Sequence, residues 1–181
     1  MCLAAQQPNF RCMTTIRIAR RSTLRPDQIL FAARDFSARR VDIWPAVRAE
    51  HLVTHSQQGT TADVTEGTPT GIGTNWERCR YDWSQRGIVV ATVIESNVYS
   101  VPGSIWHITA TADESGGSHV VMTWVRRFRR TPRGLLFGTA FRLVGRPLFA
   151  GYARDVIANL ERLESAALAE SNSEGLMSTD R

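Results

Sequence analysis

The sequence predicts an α+β fold in which a curved antiparallel sheet of about six to seven strands wraps one long C-terminal helix. Three observations carry this. Residues 74–83, 88–96, 104–112 and 119–130 follow one another as segments rich in Val, Ile, Thr, Trp and Tyr, side chains that suit a pleated, half-buried surface. The turn signals between them, Ser84-Gln85-Arg86-Gly87, Pro102-Gly103 and Glu114-Ser115-Gly116-Gly117, are too short for a parallel crossover and make the neighbours antiparallel. The chain then changes to helical period, with Leu148, Tyr152, Val156, Leu160 and Leu163 on one stripe.

The elements read in order from the N-terminus. Residues 14–20 alternate and form a first strand. Ser22 or Thr23 is placed to cap a helix that opens at Pro26 and runs to about Phe36, with 29–33 as its apolar face. A second short helix covers 37–43 and stops at Trp44-Pro45, because a residue before proline avoids the helical region. Residues 50–58 and 60–67 are two further strands, the second running into the turn-rich segment 66–71. Pro147 predicts a kink or a break near the start of the terminal helix. The organisation is an extension over 1–13, one domain over 14–168, and a polar tail over 169–181; both ends are expected to be disordered. Met13, directly ahead of the first strand, is a candidate true start.

Composition narrows the chemistry. A chain of 181 residues with 43% hydrophobic and 22% charged residues suits one globular domain with a sizeable core. All 22 basic residues are Arg and none is Lys, so lysine Schiff-base chemistry is excluded. Cys2, Cys12 and Cys79 are scattered and form no Cys-x-x-Cys pair, which points to neither a zinc site nor a disulfide framework. With no visible signal peptide, a reducing cytoplasm is the expected compartment. The longest apolar run, 134–141, stops at Arg142 and is too short to span a bilayer.

Sharper motifs fail on context. His51 and His55 stand four apart in a strand-like run, where that spacing separates them by roughly 13 Å, so no metal site is expected. Gly71 and Gly73 precede a strand rather than a helix and suit a hairpin, not a phosphate loop. There is no Gly-x-Ser-x-Gly elbow. His107, His119, Arg126 and Asp155 read as surface or rim residues, and no catalytic residue and no cofactor are assigned.

The element order resembles the helix-grip fold of the START and Bet v 1-like (SRPBCC) superfamily, and within it the bacterial polyketide cyclase/dehydrase and lipid-transport family. The resemblance rests on the helix from Pro26 leading to Val41-Asp42-Ile43-Trp44-Pro45, on the Gly71-Ile72-Gly73-Thr74 turn, on Gly116-Gly117-Ser118, and on the terminal helix. It covers roughly residues 14–165 and implies a cavity between sheet and helix that binds or transports a hydrophobic small molecule such as a lipid or polyketide. It implies no reaction. The alternatives are a polyketide cyclase or dehydratase, with Arg126 or Tyr152 as polar anchors, and a stress-related or partner-binding module with a vestigial cavity.

Strand parity nominates the cavity lining. Val120, Met122, Trp124, Arg126 and Phe128 share one face of the last strand, with His119, Val121, Thr123, Val125 and Arg127 toward solvent. Trp106 and Ile108 follow on the preceding strand, Tyr81 and Trp83 on 74–83 (with Glu77 awkward on the same face), and Phe141, Tyr152 and Val156 on the helix. The arginines at 126, 127, 129 and 130 alternate between faces, so no continuous stripe for nucleic acid forms. Arg142 and Arg146 beside Phe141, Leu143 and Phe149 suit transient contact with an anionic membrane surface instead. The oligomeric state has no signature.

Overall fold

The computed structural model describes residues 12–70, 73–97, 101–128 and 131–177. Strand β1 (Cys12–Ser22) leads to helices α1 (Pro26–Arg34) and α2 (Arg40–Ile43), and a single helical turn at Ala49–His51 precedes the remaining strands. These are β2 (Val53–Gln58), β3 (Thr61–Thr70), β4 (Gly73–Asp82), β5 (Ile88–Ser96), β6 (Ile105–Ala112) and β7 (Ser118–Phe128), followed by the long helix α3 (Pro132–Met177). The seven strands form one antiparallel sheet in the order β1-β7-β6-β5-β4-β3-β2. From β2 to β7 each strand pairs with its sequence neighbour, and β1 closes the far edge on β7. The sheet and α3 are the predicted layers.

The concave face carries the core. Val120, Met122, Trp124 and Phe128 of β7, Trp106, Ile108 and Ala110 of β6, Val89, Ala91 and Val93 of β5, and Cys79 and Tyr81 of β4 are all buried, as period-two alternation requires. α3 lays Ala153, Val156, Ile157 and Leu160 against it. Packing begins closest to β1, where Gly145 approaches so tightly that an added Cβ would lie 2.5 Å from Ile16 Cδ1.

Several expectations need correction. Ser22 and Thr23 do not cap α1. Arg25 occupies that position, and its N–H donates to Gln28 Oε1 at 3.0 Å. The Ser22 hydroxyl (2.8 Å), the Thr23 N–H (2.8 Å) and the Thr23 hydroxyl (3.0 Å) donate instead to Glu161 Oε1, fastening α3 to the end of β1. Val121 and Thr123 are buried on the convex face, because β7 lies inside the sheet and is flanked by Arg17 and Ala19 of β1 and by His107 and Thr109 of β6. Of the kink or break expected at Pro147, a break does not occur, since the helix is continuous there; proline removes one donor, while the turns on either side keep theirs. It also continues to Met177, past the expected boundary at residue 168. Cys12 and Met13, expected in the extension, belong to β1. Residues 1–11 and the Gly71-Ile72 turn lie outside the described residues.

The Gly116-Gly117 turn shows why glycine is needed there. Gly116 has φ +84, and a Cβ on Gly117 would stand 2.2 Å from the Ser22 carbonyl oxygen. This close approach registers β7 against β1 along its full length.

Candidate functional site

A cavity of about 460 Å³ lies between the concave face and α3, within the size range of small-molecule sites. One wall is β3 and β4, with Glu66, Asn75, Glu77 and Cys79. The opposite wall is β6 and β7, with Trp106, Trp124, Arg126 and Phe128. α3 covers it with Phe141, Leu148, Phe149 and Tyr152, and α2 with its following loop closes one end through Arg40, Trp44 and Val47.

Arg40 forms the buried end. It is 1% exposed, and a charge so deep persists only when paired and hydrogen-bonded. Its Nε donates to Glu66 Oε1, and one terminal nitrogen donates to the Tyr81 hydroxyl at 3.0 Å. The other donates to the Ala33 and Asp35 carbonyls at 3.3 and 3.0 Å, oxygens that the end of α1 leaves without helical partners. The Tyr81 hydroxyl donates onward to Glu66 Oε2 at 2.8 Å. Phe36, Trp44 and Tyr81 place their ring centroids 4.7, 5.1 and 5.4 Å from the guanidinium carbon. Burial works against the charge on Arg40, and the adjacent Glu66 and Tyr81 oxygens outweigh it, so the guanidinium is held charged above its ordinary range. Burial and then Glu66 push the Tyr81 phenol well above its usual value.

A second ion pair crosses the cavity. Arg126 of β7 donates to both Glu77 oxygens, at 2.8 and 2.9 Å. Strands β7 and β4 are three positions apart in the sheet, roughly 14 Å if it were flat. The two side chains meet because the sheet curls around the cavity. Glu66 and Glu77 are direct cross-strand partners, an arrangement of like charges that is destabilising unless neutralised. Each carboxylate has its own arginine, from different elements on either side.

Between the pairs the lining is aromatic. Trp124 packs on Phe149 (4.5 Å) and Tyr152 (6.1 Å), Phe141 links Phe128 (5.5 Å) to Phe149 (5.2 Å), and Trp44 meets Trp106 (5.7 Å). Two polar groups stand out. The Trp44 indole N–H is buried with no hydrogen-bond partner among the described residues. Tyr152 lines the cavity; burial, followed by the charge on Glu66, pushes its phenol pKa up, so it is a neutral donor. The Cys79 thiol is raised by burial and by the same carboxylates and is an unreactive wall group.

Of the residues nominated from strand parity, Trp106, Trp124, Arg126, Phe128, Phe141 and Tyr152 line this cavity. Ile108, Val120, Met122 and Val156 are buried in the core beneath it, and Tyr81 stands one layer behind, holding Arg40 and Glu66. Trp83 lies elsewhere, in a separate depression with Phe31, Arg34 and Phe36. Leu148, placed on the sheet-facing stripe, is 67% exposed and sits at the mouth. His107 faces the convex side next to Arg17, and burial and that charge lower its pKa. His119 is exposed, and Asp155 pairs with Arg154 at the surface. Arg40, Glu66, Trp44 and Phe149 were missed, and Glu77 was placed on the inward face without its partner Arg126. For Glu66 the signal was present: it follows Ala62 and Val64 in the inward alternation of β3.

A curved seven-stranded sheet gripping a long helix over an internal, aromatic-lined cavity defines a helix-grip protein. Solved structures agree. The Zhui aromatase/cyclase from a Streptomyces species matches with a TM-score of 0.66 at 15% identity, over 83% of this chain and 94% of that one. A START superfamily protein from Mycobacterium smegmatis matches at 0.61 and 9% identity, over 84% and 99%. The norcoclaurine synthase of Thalictrum flavum matches at 0.59 and 14% identity, over 87% and 99%. The chain has the fold of the START and Bet v 1-like (SRPBCC) superfamily. No protein-family profile and no curated protein matches the sequence.

Proposed function

We propose that the protein binds a hydrophobic small molecule, such as a lipid or a polyketide, non-covalently in the cavity between sheet and α3. The observation that carries this is the combination of a cavity of about 460 Å³ with an aromatic lining and one buried polar end at Arg40, Glu66 and Tyr81. Burial of apolar ligand surface against those rings supplies the affinity. Tyr152, a neutral phenol on the lining, is the donor placed to orient a ligand oxygen.

A second reading is cyclase or dehydratase chemistry on a polyketide-like substrate. It is favoured by two carboxylates, two guanidiniums and a neutral phenol around one apolar space. Proton transfer would fall to Glu66 or Glu77, with Tyr152 donating to the carbonyl that gains charge. The activity of the Streptomyces protein supports considering it and does not transfer it.

One experiment separates the readings. A lipophilic fluorophore that enters the cavity quenches tryptophan emission, and Trp124→Ala weakens its binding about ten-fold, the loss of one well-packed aromatic contact, with the fold intact by circular dichroism. Unchanged affinity in folded Trp124→Ala would count against the cavity as the binding site. Consumption of a poly-β-ketone by the wild type that Tyr152→Phe slows without weakening its binding would favour the enzyme.

A further inference from the structure

The first half of α3 is apolar on the side it turns away from the protein. Gly138, Phe141, Gly145 and Phe149 pack inward, whereas Leu136 is 66% exposed, Leu143 76%, and Val144 and Leu148 also face solvent. From Leu136 to Leu148 this ridge extends roughly 18 Å along the helix axis. A solvent-facing helix side normally carries the charged residues. This one carries Leu and Val, flanked by the exposed Arg142 and Arg146.

The charge distribution says what covers it. Residues 115–154 hold eight arginines and no acidic residue, although the whole chain has a net charge of only +5. The remainder of the sequence is therefore net acidic. Arg126 and Arg154 are paired with Glu77 and Asp155, whereas Arg142 and Arg146 stand exposed beside the apolar ridge. The ridge also adjoins the cavity, since Phe141, Leu148, Phe149 and Tyr152 of the same helix line it and Leu148 stands at the mouth.

We propose that the outward face of α3 from Leu136 to Leu148 docks on an anionic lipid bilayer, seating its leucines among the acyl chains and its arginines at the headgroups. A surface of this kind brings the mouth of the cavity onto the membrane. No helix among the described residues is long and apolar enough to cross a membrane, so the contact is peripheral and reversible. The proposal goes beyond ligand binding and stands or falls without it.

The test is co-sedimentation of the full chain with phosphatidylcholine vesicles that contain or lack phosphatidylglycerol. Binding to the anionic vesicles is expected at least about ten-fold above the neutral ones, since each arginine at an anionic surface is worth roughly five-fold. Raised salt should weaken it. Leu136→Asp with Leu143→Asp alters only exposed side chains and should abolish sedimentation, and Arg146→Glu should reduce it several-fold. Equal binding to both vesicle types, binding to neither, or undiminished binding by the double variant would overturn the proposal. So would a concentration-dependent dimer that the double variant dissolves, because a second copy would then be the natural cover. Uptake of the lipophilic fluorophore by the double variant, measured in parallel, shows whether cavity binding survives when docking is lost.

Discussion

Arg40 and Glu66 form a buried pair, so removing either partner leaves the charge of the other uncompensated. Arg40→Met leaves the Glu66 carboxylate and two carbonyls in a nearly dry site, and truncating one partner of a buried pair costs about 3–5 kcal/mol. Glu66→Gln keeps an acceptor but strips the fully buried guanidinium of its counter-charge, so it should cost a similar amount, about 3–5 kcal/mol, from the opposite charge. Urea unfolding of the two single variants and the double variant measures the coupling; near-additivity would mean that the two do not act as a unit. Tyr81 gives the same cluster a pH signature. Its phenol is held well above the ordinary value of 10.0, so above that pH the unfolded chain releases a proton that the folded chain keeps. The stabilisation is complete below pH 10.0 and declines as pH rises further. Tyr152 acts in the same direction. A tyrosinate absorbance titration should therefore show ionisation of these groups only as the protein unfolds, and Tyr81→Phe should flatten the alkaline decline. Residues of this kind were the least legible in the sequence. Nothing local marks an arginine in a four-residue helix as buried, because its partners come from β3, β4 and the end of α1.

Among the elements, the strands were the most readable and α3 the least. Alternation along β7 and β6 assigned the concave face correctly because those strands are buried on that side over most of their length, from Trp106 to Ala110 and from Val120 to Trp124. Glu77 looked awkward on that face until Arg126 accounted for it, and single-strand parity holds no information about a partner three strands away. The helical stripe failed at Leu148 because Gly145 and Phe149 hold the sheet-facing side of that turn, which leaves Leu148 at the cavity mouth. Gly117→Ala should cost about 1–3 kcal/mol, the range for forcing a methyl into a filled space, since its Cβ would meet backbone rather than a movable side chain. Thermal melts against Gly87→Ala, which has open space but a positive φ of +81 that Gly117 lacks, separate clash from backbone strain. α3 also invites a gating prediction. Its first half shows more apolar surface to solvent and carries Gly138, Gly145 and Pro147, whereas 153–160 is deeply packed. Hydrogen exchange should be fast over 134–147 and slow over 148–164, with ligand protecting the first part. Uniformly slow exchange would refute an opening helix.

At the scale of the molecule, curvature is what creates the site. The seven strands give a concave surface, α3 spans it, and β1 seals the far edge, leaving an apolar space with ionised pairs confined to its walls. The two-layer architecture was legible from the succession of short turns and the final change of period. Curvature was part of that expectation, but where the sheet bends was not legible, because that is set by strand twist and by the bulges between Arg78 and Cys79 and between Thr54 and Ser56. The central claim is that this space holds a small hydrophobic molecule. Native mass spectrometry of the protein purified from its own host tests it most directly, compared with Ala46→Trp, which places an indole at an exposed position on the cavity rim. The account predicts a non-covalent organic adduct on the wild type, released on denaturation and absent from folded Ala46→Trp. An adduct retained equally by the plugged variant would contradict it, as would a wild type that carries none and fails to take up lipophilic compounds when they are supplied.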